Sequence, residues 1–169
     1  WFIIDLGREE AGLLSLRLEA PAGAVLDIGH GEHLDDGRVR AWVGGRNFAD
    51  RYICRAGVQA FDLPFRRLGA RYLEVHVSNY RKPLSFQYVG LKPTPFPVSE
   101  GGSYACSDAM AGRLWDIGAR TLHLCMHEHY EDCPWREQSL YAFDSRLQAH
   151  YGYYAFGNWA FAGASIDLL

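Results

Sequence analysis

The chain has 169 residues, 49% of them hydrophobic and 22% charged, which excludes a disordered or highly charged tail. Its 17 Lys and Arg against 20 Asp and Glu give a formal charge of −3. With no basic tract among them, no nucleic-acid partner is expected. No apolar run approaches the roughly 18 residues needed to cross a bilayer, so no membrane partner is expected either.

The opening Trp1-Phe2-Ile3-Ile4-Asp5 reads as a strand rather than as an export signal. A chain that starts without Met inside an element, and ends inside another at Phe161 to Leu169, is expected to be a piece of a longer polypeptide. Localisation therefore stays open between bacterial cytoplasm and periplasm, and a homodimer stays open as an assembly.

Residues 1 to about 95 follow a period of two. Leu14, Leu16 and Leu18 alternate with Ser15, Arg17 and Glu19, and Ala24, Leu26 and Ile28 follow a turn at Pro21-Ala22-Gly23. Val58, Ala60-Phe61 and Leu63 predict a third short strand. In Arg71 to Val77, Leu73, Val75 and Val77 point one way and Tyr72, Glu74 and His76 the other. Leu84, Phe86 and Tyr88 repeat the pattern. Asp35-Asp36-Gly37, Gly44-Gly45, Ala56-Gly57 and Leu68-Gly69 are read as turns. Short strands with this punctuation, and no helical stretch among them, predict an antiparallel two-sheet sandwich. Lys92-Pro93-Thr94-Pro95-Phe96-Pro97 cannot continue through a sheet interior, because proline lacks the amide donor. The boundary is placed there, with domains 1–95 and 96–169.

The second part is helical. Ser107 or Asp108 can cap a helix whose apolar side is Met110, Leu114, Ile117, Thr121 and Leu124, running to about Met126. Pro134 suits the first turn of a second helix, with Leu140, Phe143, Leu147, Tyr151 and Tyr154 as its apolar side. The two make a hairpin that is too small to close a core by itself. The overall class is mixed β and α.

Between the helices lies the densest chemistry, His127-Glu128-His129-Tyr130-Glu131-Asp132-Cys133-Pro134-Trp135-Arg136-Glu137, continuing to Asp144. On a continuous helix Glu137 and Asp144 would differ by only about 20° in azimuth. With Asp132 in the loop before Pro134, three carboxylates could then face one cleft near Arg136. Such a set suits glycosidic bond cleavage, where one carboxyl keeps a proton for the leaving oxygen and its neighbours bind sugar hydroxyls. A solvated helix face with Asp132 as a simple cap is the competing reading.

This segment resembles the α-L-rhamnosidases of glycoside hydrolase family 78. That family carries Asp-Cys-Pro, then Gln-Arg, one or two acidic residues and a closing Gly-Asp. Tyr104-Ala105-Cys106-Ser107-Asp108 with Leu114-Trp115 resembles the family's entry into its catalytic helices, and Arg71-Tyr72-Leu73-Glu74-Val75 its sandwich domain. The resemblance implies an antiparallel β-sandwich followed by the first helical hairpin of an (α/α)6 barrel, and hydrolysis of terminal α-L-rhamnosides with inversion. It implies Glu137 as general acid and Asp132, Arg136 and Asp144 at the sugar. Trp135, Glu128 and His129 are further candidate substrate contacts, and the implied partner is a rhamnose-containing oligosaccharide, polysaccharide or glycoside. Trp135 stands where Gln is commoner, and Leu140-Tyr141-Ala142-Phe143-Asp144 lacks the family's two glycines, so another α-linked sugar stays open. Inversion also needs a base about 6.5–9.5 Å from the acid. The family supplies it far downstream, so the isolated chain is expected to be inactive.

No cofactor is expected. His123 and His127 have the four-residue spacing of two ligands on one helix face, but the HExxH pattern is missing and no metal is assigned. Cys54, Cys106, Cys125 and Cys133 form no CxxC pair and are read as buried free thiols. A non-catalytic sugar-binding sandwich, with Trp42, Tyr52, Tyr80 and Tyr88 as candidate stacking platforms, is the alternative from a different class.

Overall fold

The computed structural model describes residues 1–99 and 101–169, which form two compact units, Trp1–Thr94 and Pro95–Leu169. The first unit is built on two long strands, β1 (Phe2–Ala20) and β8 (Gly57–Ser78), paired antiparallel along most of their length. β2 (Val25–Gly31), β7 (Ala49–Ile53) and β9 (Ser85–Pro93) complete a five-stranded sheet of order β7-β2-β8-β1-β9.

Both layers of the sandwich belong to this one hydrogen-bonded sheet. The register of β1 on β8 slips between Asp5 and Glu10 and again between Leu13 and Ser15. Such irregularities bend and twist the strands, and the sheet turns back over itself. The rings show it: Phe2 of β1 meets Phe86 of β9 edge-on at 5.3 Å, and Tyr52 of β7 stacks on Phe61 of β8 at 4.9 Å. Leu14, Leu16, Leu18, Leu26, Ile28, Leu73 and Val75 fill the interior between them. These are the inner rows that the alternation predicts.

Two expectations fail here, at Leu68-Gly69 and at Tyr88. Leu68-Gly69 is no turn, because β8 runs straight through it and pairs Leu68 with Gly12. The expected short strand at Val58 to Leu63 is present as the start of β8, where Val58 and Ala60 face solvent and Gln59, Phe61 and Leu63 face inward. Tyr88 also points outward, because a bulge opposite Arg17/Leu18 shifts the phase of β9 between Phe86 and Tyr88. The Asp36-Gly37 and Gly44-Gly45 turns are present. They close the small hairpins β3–β4 (Leu34–Asp35, Arg38–Val39) and β5–β6 (Trp42–Val43, Arg46–Asn47), all four residues at positive φ as a primed turn requires. Pro93 ends β9, an edge strand, where its missing amide costs no ladder bond.

The second unit has three helices, α1 (Ala109–Leu124), α2 (Ala142–Ala155) and α3 (Trp159–Ile166). Asp108 caps α1 by accepting from the Met110 amide at 2.8 Å. Gly118 lets the Tyr151 ring lie against α1, since a Cβ there would come within 2.9 Å of the hydroxyl, which donates to the Trp115 carbonyl at 2.8 Å. The second helix does not start at Pro134. Gln138 has a positive φ, and Asp132 pairs with Ser139 through its amide and its side chain, closing a loop before α2 begins. The buried side of α2 is accordingly Ser145, Ala149, Gly152 and Ala155, whereas Phe143, Leu147 and Tyr154 are exposed. Met110, Leu114 and Ile117 of α1 are exposed as well, contrary to the predicted stripe. α3, capped by Asn158 onto the Phe161 amide, covers most of the terminal element expected at Phe161 to Leu169, whose helical character the sequence reading did not specify. Among the described residues no helix is long and apolar enough to cross a membrane.

Candidate active site

The polar segment forms the irregular connection between α1 and α2, pinned from both sides. Tyr130 is buried, its ring edge-on to Phe161 at 4.8 Å and its amide donating to Ser165 Oγ of α3 at 3.2 Å. Burial, with a smaller contribution from Tyr153, pushes its phenol up to about 12, so it stays neutral. Glu131 is also buried. Its amide donates to the Cys125 carbonyl at 2.8 Å, its carbonyl accepts from Gln148 Nε2 of α2 at 2.6 Å, and its carboxylate faces His127 Nδ1 at 3.4 Å. Two residues anchored this firmly set where Asp132 emerges.

Asp132 and Glu137 come together. The Asp132 amide donates to the Ser139 carbonyl at 2.9 Å, and Asp132 Oδ1 accepts from the Ser139 amide at 2.9 Å. Burial acts to raise the proton affinity of the Asp132 carboxylate. Hydrogen bonds from the Ser139 amide, the Glu137 carboxyl, and the Cys133 thiol and amide outweigh that effect and hold it below the usual carboxylate value. The Glu137 side chain thus lies near enough to Asp132 to contribute to that lowering. Arg136 lies beside the pair, Nη2 at 3.3 Å from Glu137 Oε1, with its side chain half in solvent. The arrangement places two carboxyl groups and a guanidinium on one short loop, residue types that general acid catalysis at an ether-like oxygen can use.

The other predicted residues are placed differently. Asp144 is half-buried in the first turn of α2, where the helix dipole favours its charge, and among the described residues it forms no hydrogen bond or ion pair. The single-helix stripe through Glu137 and Asp144 does not exist, because Glu137 precedes the helix. Trp135 is buried, with its ring in the interior, whereas Glu128 is exposed. His129 is half-buried with Nδ1 at 2.8 Å from the Tyr130 carbonyl. His123 meets the Phe96 carbonyl at 2.8 Å, and α1 ends before His127, so the two histidines do not share a helix face. Among the described residues no cluster of three or more His, Cys, Asp or Glu is arranged to hold a metal ion. All four cysteines are free thiols, but only Cys54 and Cys125 are buried, Cys133 being partly buried and Cys106 exposed. Of the aromatic platforms, Tyr52 packs into the sandwich core, while Trp42 and Tyr80 are exposed.

The sequence reading missed Ser139 and Cys133, whose backbone and side-chain bonds organise the two acids. A Ser seven residues after an Asp carries no pattern of its own, and only the positive φ at Gln138 brings it back. A separate groove of about 410 Å³ lies between α2 and α3, lined by residues such as Tyr130, Ala149, Tyr153, Ala162 and Ile166, and it includes none of the three acids.

Residues 1–92 match the family profile described as the bacterial α-L-rhamnosidase concanavalin-like domain, and residues 99–169 the bacterial α-L-rhamnosidase six-hairpin glycosidase domain. The chain is 36% identical to a GH78 family rhamnosidase of Bacillus sp. GL1, with a TM-score of 0.89 over 98% of this chain and 17% of that one. A rhamnosidase of Klebsiella oxytoca, solved with rhamnose bound, shares the fold at 24% identity and a TM-score of 0.82, over 98% of this chain and 35% of that one. An α-L-rhamnosidase of Formosa agariphila is 23% identical over 95% of this chain, which spans only 17% of that relative's length. The match to sandwich and helical profiles in succession shows that the chain belongs to the bacterial α-L-rhamnosidase family.

Proposed function

We propose that the polypeptide carrying this chain hydrolyses terminal α-L-rhamnosides with inversion, and that this chain contributes its general acid. The domain division follows the same reading: 1–95 is the sandwich domain, and 96–169 is the beginning of the catalytic (α/α)6 barrel. The observation that carries the proposal is the cluster of Asp132, Arg136 and Glu137 on one pinned loop, with Asp132 held by the Ser139 amide at 2.9 Å and Glu137 Oε1 3.3 Å from Arg136 Nη2, within the segment that matches the glycosidase profile. Glu137 donates a proton to the departing glycosidic oxygen. Asp132, Arg136 and Asp144 receive the rhamnose hydroxyls, with Glu128 and His129 at the edge of the site. Trp135 supports the loop from within. The base that activates water on the opposite face of the sugar comes from outside this chain, and the much greater length of the relatives supports this.

The test is Glu137→Gln in the full polypeptide, assayed on phenyl and 4-nitrophenyl α-L-rhamnosides. Loss of a general acid costs roughly 10²–10⁴-fold. The loss should be larger for phenol, which needs protonation to leave, than for nitrophenolate, which does not. Equal losses on both substrates, or unchanged activity, would remove Glu137 from this role. Anomeric analysis of the first product by NMR decides inversion.

A further inference from the structure

Residues 134–137 make one tight turn between the two acids, and the turn stops at Gln138, which has a φ of 52°. The described residues include two other non-glycine positions with positive φ, Asp36 and Asn79, types whose short polar side chains tolerate the left-handed region. Gln138 lacks that advantage, so the surrounding structure holds it there against local preference. If the turn continued as a helix, the Gln138 backbone amide would donate to the Pro134 carbonyl, four residues back. Instead Gln138 Nε2 donates to that carbonyl at 2.7 Å. The side chain thus satisfies an acceptor on a buried residue while the backbone leaves the turn. Its exit directs Ser139 back onto Asp132. The Asp132 amide donates to the Ser139 carbonyl and Asp132 Oδ1 accepts from the Ser139 amide, both at 2.9 Å.

We propose that Gln138 is a positioning residue that fixes where Glu137 stands relative to Asp132, by ending the turn in the left-handed conformation. This rests on the reading of Glu137 as general acid. Glu137 and Ser139 are the chain neighbours of Gln138, so a change of its φ to negative values swings one relative to the other. With Ser139 tied to Asp132 the swing falls on Glu137, and on Arg136, whose Nη2 is 3.3 Å from Glu137 Oε1. If Glu137 stays in place instead, the two bonds between Ser139 and Asp132 break. Either path uncouples the acid from the carboxylate that receives the sugar.

The test uses the full polypeptide with Gln138→Gly and Gln138→Val, following kcat and KM on phenyl and 4-nitrophenyl α-L-rhamnosides, and thermal unfolding alongside. Glycine enters the left-handed region without steric cost and lacks only the side-chain donor, so kcat should stay within about threefold on both substrates. Valine carries a branched Cβ that opposes positive φ. It should lose about tenfold in kcat on the phenyl substrate, the population shift that such a penalty produces. Its loss on the nitrophenyl substrate, whose leaving group needs no proton, should be smaller. A purely structural role would lower the folded fraction and reduce both activities alike. Equal valine losses on the two substrates, a valine variant as active as wild type, or a glycine variant as impaired as the valine one overturns the proposal. If valine prevents folding, Gln138→Ala takes its place. It lacks the donor as glycine does and differs from glycine only in its Cβ, so equal kcat values for alanine and glycine also overturn the proposal. Glu137→Gln, run in parallel, separates the two readings. Equal losses on both substrates from that variant end the general-acid assignment and this role with it. A leaving-group-dependent loss there, with none at Gln138, ends only the role of Gln138.

Discussion

Replacing Glu74 by Gln tests how the sandwich tolerates a buried carboxylate. Glu74 is 4% exposed, on the face of β8 opposite the main core. Arg38 donates to its Oε1 through Nε at 2.7 Å and also through Nη2, His76 Nε2 lies 2.6 Å from the same oxygen, and the Val39 amide donates to Oε2 at 2.8 Å. Burial by itself would raise the proton affinity of this carboxyl. The bonds from Arg38, His76 and Val39 reverse that effect and bring it from an ordinary 4.5 to about 2. At 1.36 kcal/mol per pH unit the difference corresponds to about 3 kcal/mol. Arg38 and His76 are each nearly half exposed, and solvent screening at that end reduces the expected contribution to about 2 kcal/mol. Because the folded-state value is depressed, the stabilisation is complete above about pH 4.5 and is lost as the pH falls through about 2. Urea unfolding of both proteins between pH 7 and pH 2 measures it. The gap between wild type and Glu74→Gln should be about 2 kcal/mol at pH 7 and should close toward pH 2. A gap that does not change with pH would refute the ion-pair reasoning and assign the cost to shape alone.

Two further substitutions probe the sandwich. Gly12→Ala should destabilise the chain by about 1–3 kcal/mol, because a Cβ there would fall on the β9 backbone, within 2.7 Å of the Lys92 carbonyl carbon and 2.8 Å of Pro93 Cα. Amide exchange at the β1–β9 ladder should accelerate, and an unchanged urea midpoint would show that the strands part without cost. Leu16→Ala removes a side chain with no exposure and should cost about 2–5 kcal/mol in urea unfolding. A cost below 1 kcal/mol would mean that the interior between the sheet layers collapses around the cavity.

The sandwich was legible wherever one face of a strand meets the core and the other meets solvent. Leu14, Leu16 and Leu18, and then Leu73 and Val75, obey a period of two because the pleat alternates side chains. Legibility stopped at bulges, which shift the phase without changing the composition: hence Tyr88 on the wrong face. Glu74 reads as a solvent-facing residue in the alternation, yet the hairpin at residues 34–39 covers it and supplies Val39 and Arg38. For α2, propensity and the proline misplaced the start, because a side chain seven residues away competes for the backbone that a helix would have used.

Local chemistry along the chain determined that residues 1 to about 95 are strands, that Asp108 starts a helix, and that acids gather around Pro134. Those features depend on neighbours within a few positions. Which acids meet was decided only in three dimensions. Glu137 reaches Asp132 because Ser139 and Cys133 close the loop and because Tyr130 and Glu131 are held by α2 and α3, while Asp144 is carried off on the first turn of a helix that begins later than its sequence suggests. Hydrogen bonds between distant residues choose among backbone paths that local preference leaves nearly equal in energy, and that choice put Asp132 and Glu137 together.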